Sequence, residues 1–288
     1  MKRAGVIGHP LKHSLSPAIF QVAFDAAGVE GSYEAWPTTE EQLEGRINAL
    51  RGDEMLGANV TIPHKETVVP LLDRLDEQAE RAGAVNTIVH EGDGKLVGYN
   101  TDVAGFLRAL RDDAGFDPKG MRTGILGGGG SARAVALALV EGGASIVLLA
   151  GRTPQRLNKI VSDLRDLTVA GVTITWCHWH DGTFMTVLPK ADLLVNCTPV
   201  GTRGSASESE SPIEAQYLPS EGGLVFDLVY NPTETSLLKA AQERGANTVG
   251  GLGMLVYQAA ESFRLWTKQD PPVERMLEAG RDALAAGG

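Results

Sequence analysis

The sequence predicts a two-domain α/β protein, on three observations. Short apolar runs alternate with helical patterns along most of the chain, the rhythm of a sheet covered on both faces. A turn-rich junction, Asp117-Pro118-Lys119-Gly120, divides this alternation into two series. The length of 288 residues suits two cores of ordinary size as well as one large one.

In the first series, residues 3–8, 32–36 and 56–60 read as strands, with helices over 17–27 and 39–50 between them. Residues 85–90 and 95–99 read as a strand pair joined by the turn Glu91-Gly92-Asp93-Gly94. In the second series, 122–126 and 145–150 are strands, followed by helices over 131–140 and 154–167. Further strands follow at 172–177, 193–197 and 224–228, giving the βαβ rhythm of a nucleotide-binding half-fold. Residues 203–212 are polar, acidic and small, and read as a mobile surface loop. A long apolar-periodic helix spans 254–267, and Pro271-Pro272 opens a terminal helix expected to return to the first domain. Residues 1–103 with 254–288 are thus expected to form one domain, largely on a parallel sheet, and 104–253 the other.

Composition narrows the function. Hydrophobic residues at 43% and charged residues at 22% give a sizeable core and exclude a disordered or fibrous chain. A net charge of −10 argues against a nucleic-acid partner, yet leaves room for a small anion held by a few local donors. No apolar run approaches the ~18 residues of a membrane span, so no membrane partner is expected. Gly8-His9-Pro10 breaks any signal-peptide core, and the cytoplasm is the expected compartment. Cys177 and Cys197 lack metal-type spacing and read as buried free thiols. No metal is expected, because His9, His13, His64, His90, His178 and His180 form no ligand-spaced cluster with carboxylates. His178 and His180 alternate in a strand-like stretch and could share a face.

The most informative turn lies between a strand and a helix, where Gly127, Gly128, Gly129, Gly130, Ser131 and Ala132 follow one another. Gly127, Gly129 and Ala132 satisfy GxGxx(G/A). The first permits a tight turn, the second lets backbone approach a pyrophosphate, and the small third residue allows close helix–strand packing. The helix start adds N–H groups and a positive dipole end. After the next strand come Gly151, Arg152 and Thr153, with no carboxylate for a ribose 2′-hydroxyl. A guanidinium, a hydroxyl and Arg156 one turn later suit a 2′-phosphate instead, so NADP is the expected cofactor.

Three segments of the first domain are polar where a plain core would not be. Ser14 and Ser16 precede Pro17, either as carboxylate donors or as a helix N-cap. Asn59-Val60-Thr61-Ile62-Pro63-His64-Lys65 brings a lysine to the carboxyl end of a strand, where open α/β sheets place their ligands. Asn100-Thr101-Asp102 stands between a strand and a helix, and Asp102 could simply cap that helix.

These segments, HSLSP, NVTIPHK, GAVNT (83–87), NTD and GGGGSARA, with NCTPVG (196–201), DLVYNP (227–232) and GLGMLVYQAAESF (251–263), occur in one order over nearly the whole chain. In this the sequence resembles the shikimate dehydrogenase family. The resemblance implies a substrate domain and a Rossmann-type NADP domain with the active site in the cleft between them. It makes Lys65 and Asp102 the catalytic pair, and Ser14 and Ser16 the holders of a substrate carboxylate. Asn59, Thr61, Asn86, Asp102 and Gln258 would bind ring hydroxyls, with Tyr230 nearby. Thr198, Val200, Leu228, Gly251 and Met254 would bind the cofactor, with Gly253 and Met254 near its nicotinamide. Gly151 stands where the family commonly has Asn, and Thr202 where Met often follows NxTxxG.

The implied reaction is reversible reduction of 3-dehydroshikimate to shikimate by NADPH, a step of chorismate and aromatic amino-acid biosynthesis. Lys65 would donate the proton. A quinate or aminoshikimate dehydrogenase and a non-catalytic NADP(H) sensor remain as alternatives, and a homodimer is left open.

Overall fold

The computed structural model describes all residues except 13, 168–170, 180 and 288. The chain divides into two compact units, Met1–Gly105 with Val256–Gly288, and Phe106–Leu255.

The first unit holds strands Lys2–Gly8 (β1), Gly31–Pro37 (β2), Met55–Val60 (β3), Arg74–Leu75 (β4), Thr87–His90 (β5) and Leu96–Tyr99 (β6). They form one sheet in the order β2-β1-β3-β5-β6-β4. β1 runs parallel to β2 and β3, and β4 parallel to β6, whereas β5 is antiparallel to both β3 and β6. The sheet is thus mainly parallel, as expected, with antiparallel pairing confined to β5. The short 91–95 connection can only join antiparallel neighbours, and the hairpin it makes inserts beside β3.

Helices Ser16–Ala26 (α1), Leu43–Ala49 (α2) and Glu77–Ala82 (α3) belong to this unit. α2 is shorter than the periodicity suggests because Thr39 bonds locally. Its backbone N–H donates to Gln42 Oε1 and its hydroxyl to Glu41 Oε2, and these compete with a helical start. α3 and its neighbour β4 have weak apolar periodicity, but Asp76 caps α3 by accepting from the Ala79 N–H at 2.9 Å. One face of the sheet packs Ile7, Trp36, Ile47, Val60, Ile88 and Leu96 into a core.

The second unit contains strands Arg122–Leu126 (β7), Ile146–Gly151 (β8), Thr173–His178 (β9), Leu193–Asn196 (β10), Leu224–Asp227 (β11) and Asn247–Val249 (β12). The order β12-β11-β10-β7-β8-β9, parallel at every pairing, is that of a Rossmann fold. Its switch point lies between β7 and β10. Helix Asp102–Asp112 (α4) leads into this unit, and Gly130–Glu141 (α5), Pro154–Arg165 (α6), Gly182–Val187 (α7) and Ser236–Glu243 (α8) alternate with its strands. α5 is buried along nearly its full length, from Ala132 to Val140. Residues 203–210 carry no helix or strand, and consecutive turns there close on themselves, the Gly204 N–H donating to Glu208 Oε2 at 2.8 Å.

Helix Leu252–Thr267 (α9) leads back to the first unit, and Val273–Ala286 (α10) packs there against α1. No helix among the described residues is long and apolar enough to cross a membrane.

Candidate active site

In the first unit the polar segments gather at the carboxyl ends of β1, β3 and β6. Lys65 follows β3, and its ammonium lies 2.5 Å from Asp102 Oδ2, with the two side chains 14% and 5% exposed. Asp102 begins α4 but does not cap it. Asn100 does, its Oδ1 accepting from the Asp102 and Val103 N–H groups while its amide donates to the Ala84 carbonyl. The Asp102 carboxylate is therefore released from capping and turned to the lysine.

Asn86, at the start of β5, holds the other carboxylate oxygen. The Thr101 backbone N–H donates to Asn86 Oδ1 at 2.7 Å, which fixes the amide orientation. Asn86 Nδ2 then donates to Asp102 Oδ1 at 2.8 Å and to Gln258 Oε1 at 3.1 Å. Gln258 comes from α9, which can approach α4 closely because Gly105 lacks a Cβ; one added there would sit 2.8 Å from the Gln258 backbone nitrogen.

Asn59 sits beneath these groups with its carboxamide engaged at both ends. Oδ1 accepts from the Tyr33 hydroxyl at 2.8 Å, and Nδ2 donates to Ser262 Oγ at 2.9 Å and to Thr87 Oγ1 at 3.1 Å. The Tyr33 ring stacks on Phe20 with centroids 4.3 Å apart. Its phenol is pushed well above the ordinary value by burial, so it stays a donor. Thr61 is partly buried at the end of β3. Ser14 is partly buried and Ser16 buried. Neither serine caps α1, where Leu15 holds the cap position, and Ser14 Oγ accepts from the Ser16 N–H. His13 lies outside the described residues.

In the second unit the glycine turn follows β7. Gly127 has φ +124°, and a Cβ there would meet the Cys197 carbonyl at 3.2 Å, so the turn can pass β10 only as glycine. Gly128 lies against Leu157, whereas a Cβ on Gly129 would project into open space. α5 then begins at Gly130 and continues through Ser131 and Ala132 with no side-chain cap, leaving its dipole end for an anion.

β8 ends at Gly151, and Leu157 again fills the space beside it, 3.3 Å from where a Cβ would stand. Arg152, Thr153 and Arg156 are exposed. Among the described residues neither guanidinium has an ion-pair or hydrogen-bond partner. An open backbone turn, an uncapped helix and two uncommitted cations fit the pyrophosphate and 2′-phosphate of NADP.

The ends of β10 and β11 are tied together by buried polar groups. Asn196 Oδ1 accepts from the Thr198 N–H and hydroxyl, and its Nδ2 donates to Asp227 Oδ1 at 2.9 Å. Asp227 also accepts from the Val229 N–H and, at 2.6 Å, from the Thr235 hydroxyl. Burial pushes its carboxyl up to about 6, against the pull of these bonds. Gly251 packs so closely on the Leu228 carbonyl that a Cβ would collide with it, and Met254 is buried on the first turn of α9. Val200 is partly buried, as is Tyr230, whose phenol burial also pushes up.

Residues 6–88 match the shikimate dehydrogenase substrate binding domain, and 251–279 the shikimate 5'-dehydrogenase C-terminal domain. The chain is 45% identical to an NADP(+) shikimate dehydrogenase of Methanopyrus kandleri, over 96% of this chain and 93% of that one. The chain belongs to the shikimate dehydrogenase family. Among solved structures it is similar to the Thermus thermophilus shikimate 5-dehydrogenase in complex with NADP(H) and shikimate, with a TM-score of 0.85 and 41% identity over 99% and 100% of the two chains. A quinate dehydrogenase of Corynebacterium glutamicum in complex with NAD shares the fold at a TM-score of 0.87 and 32% identity, over 98% and 99%.

For this shikimate dehydrogenase family member, sequence reading missed Tyr33, Thr87, Asn100 and Ser262. Asn100 carried a legible signal, an Asn two residues before a helix-starting Asp. Thr87 and Ser262 lie within the family segments, yet local pattern assigns them and Tyr33 no role, since their partners lie on other elements. Cys177 is half-buried, and burial pushes its thiol to about 11, in line with an inert sulfur. His178 is exposed, and His180, its expected partner on a shared face, lies outside the described residues.

Proposed function

We propose that the protein is an NADP-dependent shikimate dehydrogenase, catalysing reversible reduction of 3-dehydroshikimate to shikimate on the chorismate route to aromatic amino acids. The observation that carries this reading is the largely buried Lys65–Asp102 pair, held by Asn86 at the sheet end of the first unit. The bound NADPH supplies the hydride that reduces the ring carbonyl.

The chain's own residues handle the substrate and the proton. Ser14 and Ser16, with nearby backbone N–H groups, hold the ring carboxylate. Asn59, Thr61, Asn86, Asp102 and Gln258 set the ring hydroxyls, with the neutral Tyr230 phenol as a further donor.

As negative charge grows on the carbonyl oxygen, the Lys65 ammonium gives it a proton from Nζ, so carbonyl plus hydride plus proton becomes alcohol. Asp102 aims the ammonium and offsets its desolvation. In the reverse direction neutral Lys65 takes the hydroxyl proton. A positioned acid or base of this kind contributes roughly 10²–10⁴-fold to rate. In the second unit Gly127–Ala132 cradle the pyrophosphate and Gly151, Arg152, Thr153 and Arg156 hold the adenosine 2′-phosphate. Thr198, Val200, Leu228, Gly251 and Met254 shape the nicotinamide end.

The test is initial rate with shikimate or quinate, each with NADP⁺ or NAD⁺. The expected result is preference for shikimate with NADP⁺. Preference for quinate, or for NAD⁺, would overturn the specificity assigned to the serines or to Arg152. No turnover of either acid would overturn the activity itself.

A further inference from the structure

Ser262 lies on α9 among apolar neighbours, fully buried, and nothing in the reaction above calls on it. Its oxygen nevertheless meets four segments. It donates to the Gln258 carbonyl one turn earlier at 3.0 Å. It is 2.9 Å from Asn59 Nδ2 on β3, 2.7 Å from Thr87 Oγ1 on β5, and 3.4 Å from Thr101 Oγ1 at the start of α4.

A hydroxyl has one hydrogen and two lone pairs. With the hydrogen given to the Gln258 carbonyl, Ser262 accepts from Asn59 and from Thr87. That choice sets the Asn59 amide with its nitrogen toward α9 and its oxygen toward Tyr33. It also turns the Thr87 hydrogen to Ser262 at 2.7 Å and away from Asn86 Oδ1 at 3.2 Å, on the amide that carries Asp102. Each residue Ser262 touches is either a candidate binding residue, Asn59 or Gln258, or the chain neighbour of one: Thr87 of Asn86, and Thr101 of Asp102.

We infer that Ser262 is a positioning residue, whose single buried oxygen holds β3, β5, α4 and α9 in the register that presents Asn86 and Asp102 to Lys65. The inference rests on the proposed shikimate dehydrogenase activity. Removing the oxygen deprives one Asn59 N–H of its acceptor and leaves the Thr87 hydroxyl to turn to Asn86 Oδ1, 3.2 Å away. Their rearrangement then passes to the Asn86 amide and to the carboxylate it carries.

The experiment compares wild type with Ser262→Ala, Ser262→Cys and Ser262→Thr, reading kcat and KM for shikimate, KM for NADP⁺ and the thermal midpoint. For Ser262→Ala we expect kcat to fall roughly 10- to 100-fold, as for small misplacements of reacting groups, with KM for NADP⁺ within about twofold of wild type. Ser262→Cys, similar in size but a weak acceptor, falls between, and Ser262→Thr, which keeps the hydroxyl, restores turnover relative to alanine.

Wild-type kcat in Ser262→Ala overturns the inference, as does a loss of kcat that matches the unfolded fraction with both KM values unchanged. If Ser262→Ala does not fold, Ser262→Cys decides: wild-type kinetics there overturns the inference, and a selective loss of kcat supports it. Failure of the wild type to turn over shikimate would remove the proposed activity and this inference together, whereas an active wild type with an indifferent Ser262→Ala removes the inference alone.

Discussion

Lys65 and Asp102 stand 2.5 Å apart, and the carboxylate is shared, with Oδ2 on the lysine and Oδ1 on the Asn86 amide. Both side chains are largely withdrawn from water, so the attraction is screened much less than at a surface. The arrangement keeps one ammonium aimed at one place. Asp102→Asn preserves shape but removes the charge that holds the lysine. Turnover of shikimate should fall by ~10² or more, with KM changed far less. Steady-state kinetics checks it, and a variant with near-normal kcat would show that Asp102 serves only the fold.

Gly127 and Gly129 are both glycines of one turn, for different reasons. Gly127 is needed by the backbone: at φ +124° with the Cys197 carbonyl close by, Gly127→Ala should cost about 1–3 kcal/mol of stability. Gly129 faces open space, so Gly129→Ala should leave the thermal midpoint unchanged and raise KM for NADP⁺ about tenfold or more. Thermal unfolding and cofactor kinetics on the two variants separate these roles.

Arg152 is exposed and has no protein partner among the described residues, so its charge is available to a ligand. A charge-assisted hydrogen bond contributes about 1.5–3 kcal/mol, and Arg152→Ala should therefore weaken NADP⁺ binding by roughly 10- to 100-fold while barely altering NAD⁺. Equal loss for both cofactors, measured by titration, would mean that Arg152 does not read the 2′-phosphate.

Asp227 should leave a signature in the pH dependence of stability. Burial raises its carboxyl to about 6, above the unfolded value, so between those two points the native state binds more protons than the unfolded chain. Its contribution is most favourable at low pH and weakens as pH rises through about 6, a change of up to ~3 kcal/mol at ~1.4 kcal/mol per pH unit. Asp227→Asn cannot titrate and can still bond Asn196, Val229 and Thr235. Its thermal midpoint should gain on wild type as pH is raised from about 4 to about 7. A constant difference over that range would contradict the assignment.

The parts of this molecule written in local pattern were legible in its sequence. The βαβ series, the glycine turn before α5 and Arg152 after β8 need only neighbours in the chain to be recognised. Lys65 and Asp102 stand out in short polar segments at strand ends, and their pairing follows from the family resemblance. What escaped was pairing at long range. Ser262 meets Asn59 across 203 positions, and within an apolar-periodic helix a serine looks like core filling. Tyr33 likewise reads as an ordinary strand aromatic until its hydroxyl is seen on Asn59. The antiparallel insertion of β5 and β6 was half legible: the hairpin was visible, but its place beside β3 depends on contacts no local pattern encodes. α8 was missed although Thr235 caps it and Leu237, Leu238 and Ala241 are buried, because at 8 residues it is too short for its periodicity to stand out.

The most direct test of the account is Lys65→Ala, with kcat for shikimate oxidation and the equilibrium dissociation constant for shikimate measured on the same preparation. The account predicts that kcat falls ~10²–10⁴-fold while the dissociation constant changes much less, because the lysine acts on the proton in transit. Near-normal turnover would contradict it, since some other group would then be moving the proton.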